Sequence, residues 1–246
     1  MTSHRVAILQ SSYIPWKGFF DIVHDVDEFV FLDNVQFTTR DWRSRNRIKT
    51  PNGLLWLSVP VGSDRNRRIC DVAIEDPAWQ EKHWKTILHN YSKAPHFATY
   101  RSFFEDLYLG RHWDSLSAMN QEMTRRIAAE IFGLNTRFSD SRDYQPTGAK
   151  LELILDIVLK TGATTYISGP AAHDYIEPGR FDEAGVDLEY KNYQGYPEYP
   201  QLHPPFEHAV SVLDLIFNTG DAAWRYVWGW RESPDNPPLA EGYLEC

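Results

Sequence analysis

Residues 5–33 read RVAILQSSYIPWKGFFDIVHDVDEFVFLD, and the order of apolar and punctuating residues in this stretch decides the fold. "RVAILQ" is a short β-prone apolar run, "SSYIPWKG" interrupts it with Pro15 and Gly18, "FFDIVHDV" has apolar residues at helical spacing, and "EFVFLD" is a second apolar run. A strand, loop, helix, strand unit predicts two parallel strands joined by a right-handed crossover. It also puts the loop after the first strand at the carboxyl edge, where α/β proteins bind ligands.

Outward from this unit, residues 54–61 (LLWLSVPV) and 69–75 (ICDVAIE) read as further strands around the charged loop "GSDRNRR". From Pro77 to about Phe132 the spacing of apolar residues turns helical, and Gly133 follows as a C-cap. The α/β rhythm then resumes with "NTRFSD", the helix "KLELILDIVLKTG", the strand "TTYISG", the strand "VDLEYKNY" and a last helix within "AVSVLDLIFNTG". The expected architecture is a Rossmann-like, mostly parallel sheet with helices on both faces and a helical insertion around residues 77–133. One α/β domain is expected over residues 1–232, with a loosely ordered, Pro-rich tail over 233–246.

Composition removes several function classes. The chain has 25 Lys and Arg against 34 Asp and Glu, a net charge of -9, which argues against a general nucleic-acid binder with a wide basic face. Two cysteines, Cys70 and Cys246, make no disulfide framework and fit a reducing, cytoplasmic setting. The start "MTSHRVAILQ" has no long apolar region of a signal peptide, and "LELILDIVLK" is broken by Glu152, Asp156 and Lys160, so no membrane span is expected. Gly-x-Gly-x-x-Gly, Walker, Cys-x-x-Cys and His-Glu-x-x-His patterns are absent, which leaves no dedicated zinc or P-loop site.

Four stretches could carry chemistry. The loop after the first strand offers Gln10, Tyr13 and Lys17, facing Asp33 and Gln36 at the end of the second strand. The stretch "QFTTRDWRSRNRIK" (36–49) concentrates Arg43, Arg45 and Arg47 beside Trp42; if extended, these arginines share one face with Asn46 opposite, a geometry suited to bidentate phosphate or carboxylate contacts. The long loop "YQGYPEYPQLHPPFEH" (193–208) offers Tyr199, Gln201, His203 and His208, with His203 as a candidate general base. "YISGPAAHDYI" places Ser168 at a turn where backbone N–H groups could meet an anion. Each arginine, histidine or serine here also has an ordinary reading as a solvated charge, a backbone-bonded ring or a loop cap.

Taken together, "VAILQSSYIPWKGFFDIVHDVDEFVFLDNVQFTTRDWRSRNRIKTPNGLLWLSVPV", "KHWKTILHNYSKAPHF", "GATTYISGPAAHDYI" and "EYPQLHPPFEHAVSVLDLIFNTG" resemble the WbqC-like protein family over nearly the whole chain to about Trp230. In this resemblance the family's Gln-Pro after the first strand is Gln10-Ser11, and its Asp-Asp-Val-Gln-Phe is Asp33-Asn34-Val35-Gln36-Phe37. Its tryptophan and basic block is Trp42, Arg45, Asn46 and Arg47, and its late Tyr-x-Gln-x-His is Tyr199, Gln201 and His203. Asn34 replaces a second acid, which weakens any two-carboxylate metal site.

The resemblance implies surface-polysaccharide or natural-product biosynthesis, and the expected activity is transfer of an acyl or aminoacyl group onto an amino sugar or related amine. His203, Asp33 and Gln36 are the expected catalytic set, with a phosphorylated or nucleotide-linked small molecule as partner and acyl-CoA or aminoacyl-tRNA as donor. The alternatives are a Mg²⁺-dependent nucleotidyltransferase, with Asp33 on the metal, and a non-catalytic scaffold of a glycan assembly complex.

Overall fold

The computed structural model of the chain describes residues 3–174 and 176–232. The expected tail over 233–246 lies outside the described residues. Five parallel strands form the main sheet: β1 (Arg5–Leu9), β2 (Glu28–Phe31), β5 (Arg137–Asp140), β6 (Thr165–Ser168) and β7 (Asp187–Tyr190). Their spatial order is β5-β2-β1-β6-β7. The chain thus steps outward from β1 on one side, then returns to build the other, and the switch point falls between β1 and β6. This is a Rossmann-like α/β fold. A separate antiparallel hairpin, β3 (Arg45–Thr50) and β4 (Gly53–Ser58), is inserted after β2.

Side-chain alternation along the strands sends apolar groups to both faces. Ala7, Phe29, Phe31 and Ile167 join one core with α1 (Lys17–His24), α2 (Trp79–Tyr91), α3 (Phe97–Leu109), α4 (Leu116–Arg126) and α7 (Val212–Thr219). Val6, Ile8, Val30 and Tyr166 join a second core with α5 (Leu151–Thr161) and α6 (Pro178–Glu183). The helical insertion is therefore α2, α3 and α4, continued by a π turn over Ile127–Ile131 and stopped at Gly133, whose φ of 66° an L side chain rarely adopts. Among the described residues no helix is long and apolar enough to cross a membrane.

One expected strand does not form. Residues 69–75 hold a 3₁₀ turn, Ile69–Asp71, and a single bridge from Ala73 to Ser115. The two buried residues, Ile69 and Val72, are three apart, which is the spacing of a 3₁₀ turn and not of a strand.

The C-terminal end of the described chain is fastened to α1 by ions. Lys191 reaches Asp21 at 2.9 Å and also pairs with Asp25, while Arg231 reaches Asp21 at 2.5 Å and Asp25 at 3.0 Å. Asp21, His24 and Asp25 would be near enough to share a metal, with ligand atoms within 4.8 Å of one another. The lysine and arginine already on both carboxylates make this an ion-pair network instead. Burial alone would raise the Asp25 carboxyl, yet hydrogen bonds from His24, Arg231 and Lys191 outweigh it and hold the group well below the usual carboxylate range. A depressed carboxyl contributes stability that is complete above its unfolded pKa, about 3.9, and is lost as pH falls below it. Asp25→Asn should therefore unfold at lower urea than the wild type at pH 7, and the gap between the two midpoints should narrow as pH is taken from 4 toward 2.

Candidate functional site

The loop from Gln10 to Trp16 leaves the carboxyl end of β1 and turns sharply into α1. Ile14 has φ of 35°, which is strained for a β-branched residue. Asn46 of β3 holds this turn: its Nδ2 donates to the carbonyls of Tyr13 at 3.1 Å and Ile14 at 2.8 Å, and its Oδ1 accepts from Arg47 N at 2.8 Å. Asn46 is 2% exposed, so it is a clamp of the loop and not a group that meets substrate. Tyr13 is likewise fully buried, with its hydroxyl against His83 Nδ1 at 2.8 Å and Tyr108 Oη at 2.6 Å, so it stacks on no base or sugar. Gly18 is required here because any Cβ would enter the Trp16 indole.

Asp33, at the end of β2, is completely buried. Its carboxylate accepts from Ser11 N at 2.9 Å, from Gln121 Nε2 at 3.1 Å and from Ser117 Oγ. The last two belong to α4, so the helical insertion is bolted to the sheet's carboxyl edge at this residue. Gln121 Nε2 also donates to Asp140 at the end of β5, at 2.8 Å. The Asp33 oxygens thus already serve three donors, and the nearby charges felt by Arg43, Arg125 and Arg142 include this carboxylate. A fully buried carboxylate whose oxygens already accept from three donors, with arginines nearby, does not fit Mg²⁺. Gln36 is exposed and donates through Nε2 to Arg65 O at 3.3 Å. Gln10 is half-buried at the end of β1.

The hairpin presents the basic cluster. In β3 the alternation puts Arg45 and Arg47 on one face and Asn46 on the other, as expected; Arg43 precedes the strand and lies 3.5 Å from Asp41. Register places Trp56 directly opposite Arg47. The Arg45 guanidinium lies 4.1 Å from the Trp56 ring centroid, Arg47 lies 5.5 Å from Trp56 and 5.6 Å from Trp42, and the two indoles are 5.4 Å apart. Trp42 is 42% exposed and Trp56 40% exposed. The Nε atoms of Arg43, Arg45 and Arg47 are all buried with no hydrogen-bond partner in the protein. Burial lowers the Arg43 pKa, with Asp41 and Asp33 only partly offsetting the loss of water. Such donors cost free energy when left unmade.

The 193–211 loop packs beside the hairpin. Lys49 Nζ donates to Pro205 O, and Ser211 N donates to Arg47 O at 2.8 Å. Its core is Asp214 of α7, completely buried, which accepts from Tyr91 Oη at 2.8 Å, Tyr199 Oη at 2.9 Å and Gln201 Nε2 at 2.8 Å. Burial raises the Asp214 pKa against those donors. Gln201 also bonds Glu207 through both ends of its amide, so Tyr199 and Gln201 shape the loop and do not reach outward. His203 Nε2 donates to Asn90 O at 2.9 Å, which leaves Nδ1 as the ring's basic nitrogen. His208 Nδ1 is buried without a partner, and burial, with Lys17 nearby, lowers its pKa to about 4.

Lys17 is 2% exposed, with Nζ donating to Pro197 O at 3.2 Å and lying 4.9 Å and 5.3 Å from the Tyr196 and Tyr199 rings. Burial lowers its pKa to about 7, with Asp21 opposing the shift. Ser168 is buried at the end of β6 against Tyr166 Oη at 3.3 Å, and the turn beyond it, Pro170–Asp174, is a 3₁₀ turn too short to act as an anion-binding helix end.

A model of the WbqC-like protein family matches residues 10–226. A relative from Mycobacterium tuberculosis, known as uncharacterized protein Rv1507c, is 40% identical over 225 residues, covering 91% of this chain and 97% of the relative. No solved structure matches.

Two substitutions test the loop's support. Asn46→Ala strands buried carbonyls of a strained turn and should lower stability by about 1–3 kcal/mol in urea unfolding. Lys17→Met removes a lysine whose burial is a cost below its folded pKa of about 7 that fades as pH rises toward about 10.4. The variant should thus gain stability over the wild type at pH 6 and lose most of that gain by pH 10, read by the same measurement.

Proposed function

The chain belongs to the WbqC-like protein family, and from that membership and the arginine–tryptophan face we propose that it is a transferase that moves an acyl or aminoacyl group onto an amino sugar or related amine. The single observation that carries the reading is the packing of the Arg45 and Arg47 guanidinium groups on the exposed Trp42 and Trp56 pair. Arginine forks hold phosphate oxygens and indoles hold a base or a sugar ring, so the face suits a phosphorylated or nucleotide-linked molecule. The family resemblance supports surface-polysaccharide or natural-product biosynthesis as the setting.

In this reading Arg45 and Arg47 bind the phosphates, Trp42 and Trp56 pack on the attached ring, and His203 takes a proton from the attacking amine through Nδ1. The role of Asp33 is then to hold the loop, since its oxygens are committed to Ser11, Ser117 and Gln121. A second reading, a non-catalytic scaffold, draws on the exposed Leu54, Leu55 and Trp56 of the same hairpin, which would suit a docking partner.

Thermal unfolding with nucleotide sugars, acyl-CoAs, ATP and aminoacyl-tRNA tests the binding half. A ligand at about 100 times its Kd adds about 2.7 kcal/mol of stability, and Arg45→Ala with Arg47→Ala should abolish the resulting rise in Tm. With the ligand class identified, His203→Ala should lower turnover roughly 100-fold to 10,000-fold while leaving that rise intact. Ligand binding without any product, unchanged by His203→Ala, would favour the scaffold; no ligand-dependent rise would overturn the anion site.

A further inference from the structure

A cavity of about 620 Å³ lies between the start of α4 and the turn after β5, walled by Arg111, Arg125, Arg142, Ser117, Gln121 and Cys70. It is separate from the arginine–tryptophan face, because Arg43, Arg45 and Arg47 do not line it. Its volume falls within the range of about 300–1,000 Å³ usual for small-molecule sites. Three arginines face one glutamate, Glu122, in a chain of net charge -9.

The three cations are not equivalent. Arg111 is neutralised by Glu122 at 2.9 Å, and Arg142 by Asp140 through Nε and Nη2, each at 2.9 Å. Arg125 instead donates to a neutral amide, Gln121 Oε1, at 3.0 Å, and lies 5.1 Å from the Phe31 ring centroid. Among the described residues no carboxylate forms an ion pair with it. Burial lowers its pKa, and the charges of Glu122, Asp140, Asp143 and Asp33, none of them in direct contact with it, only partly offset the lost water. Its position is fixed from behind: Gln121 Nε2 is held by Asp33, Asp140 and Ser117, so Oε1 is turned toward Arg125. The first turn of α4, where Ser115 caps Ala118 N, also lines the cavity and adds the positive end of an 11-residue helix.

We propose that this cavity is a second anion site that binds a phosphorylated or pyrophosphorylated small molecule, with Arg125 as its principal contact and Arg111 and Arg142 on either side. The proposal does not rest on the transferase reading. A sugar phosphate and a nucleoside diphosphate share the chemistry that the cavity recognises, and inorganic phosphate and pyrophosphate are the minimal probes for it.

Cys70 in the wall reports occupancy. In the full chain carrying Cys246→Ser, the rate at which a small alkylating reagent modifies Cys70 is measured with increasing phosphate or pyrophosphate, and affinity is measured in parallel by calorimetry. Pyrophosphate is expected to slow alkylation severalfold and to bind more tightly than phosphate. Arg125→Gln should weaken its binding about tenfold to hundredfold, the span of one charge-assisted hydrogen bond. Arg45→Ala with Arg47→Ala should leave the protection of Cys70 intact. Unchanged alkylation at high pyrophosphate, equal affinity in Arg125→Gln, or protection lost in the Arg45 and Arg47 variant would each overturn the proposal. If Arg125→Gln shows no cooperative melting, the protection of Cys70 in the chain with native Arg125 decides the matter alone.

Discussion

Burying the Asp33 carboxylate at the end of β2 is the constraint on which the rest of the site depends. A carboxylate taken fully out of water is tolerated only when donors replace its hydration. Here the donors come from three places in the chain: Ser11 in the loop after β1, and Ser117 and Gln121 in α4. Satisfying one acid thus fixes the position of a loop, a strand end and a whole helical insertion relative to one another. The same Gln121 passes the constraint on to Asp140 at the end of β5 and to Arg125 beyond it. Asp33 acts as the keystone of the carboxyl edge, so an acid at the end of a strand, where α/β proteins bind ligands, here serves the fold.

The hairpin depends on a second clamp of the same kind. Ile14 accepts an unfavourable φ because Asn46 bonds the two carbonyls at the turn, and Asn46 sits on β3, whose opposite face carries Arg45 and Arg47. The strain in the loop and the display of the arginines are therefore coupled through one strand. Lys17, buried in the next turn, and the unpartnered Nε atoms of the hairpin both carry a cost to stability that packing alone does not return. Costs that cluster on one side of a fold are expected where binding, and not stability, has set the residue choice.

The sheet was legible because β1, β2 and the punctuation between them are local signals, readable within about 30 residues of chain. The region 69–75 was not, since its apolar residues satisfy both a rough alternation and the three-residue repeat that Ile69 and Val72 actually use. In the site, the shared face of Arg45 and Arg47 follows from the period of a strand, but Trp56 joins them only through the hairpin register. Tyr13 read as one of the residues the loop offers to a ligand; its partners, His83 and Tyr108, lie 70 and 95 residues away, beyond any local signal. Ser117 and Gln121 carry no signal of their own within the helical spacing of 77–132. Their spacing of four residues put them on one face, and only the buried acid they meet distinguishes that face from a solvated one.

A net-negative chain gains from placing its positive charge as arginine on rigid supports. The general field of the molecule repels anions, so capture requires a local potential strong at short range, within roughly one Debye length of about 8 Å. Lysines on a mobile surface would lose side-chain entropy on binding, whereas guanidinium groups stacked on Trp56 or braced by Gln121 have already lost it in the folded state. A net charge of -9 disfavours extended polyanions, whose many phosphates need a wide basic face, more than compact ones. For the anion sites proposed above, a preference for a compact phosphorylated group over a long nucleic-acid strand is the expectation that follows from the contrast between the overall charge of -9 and a few fixed arginine clusters.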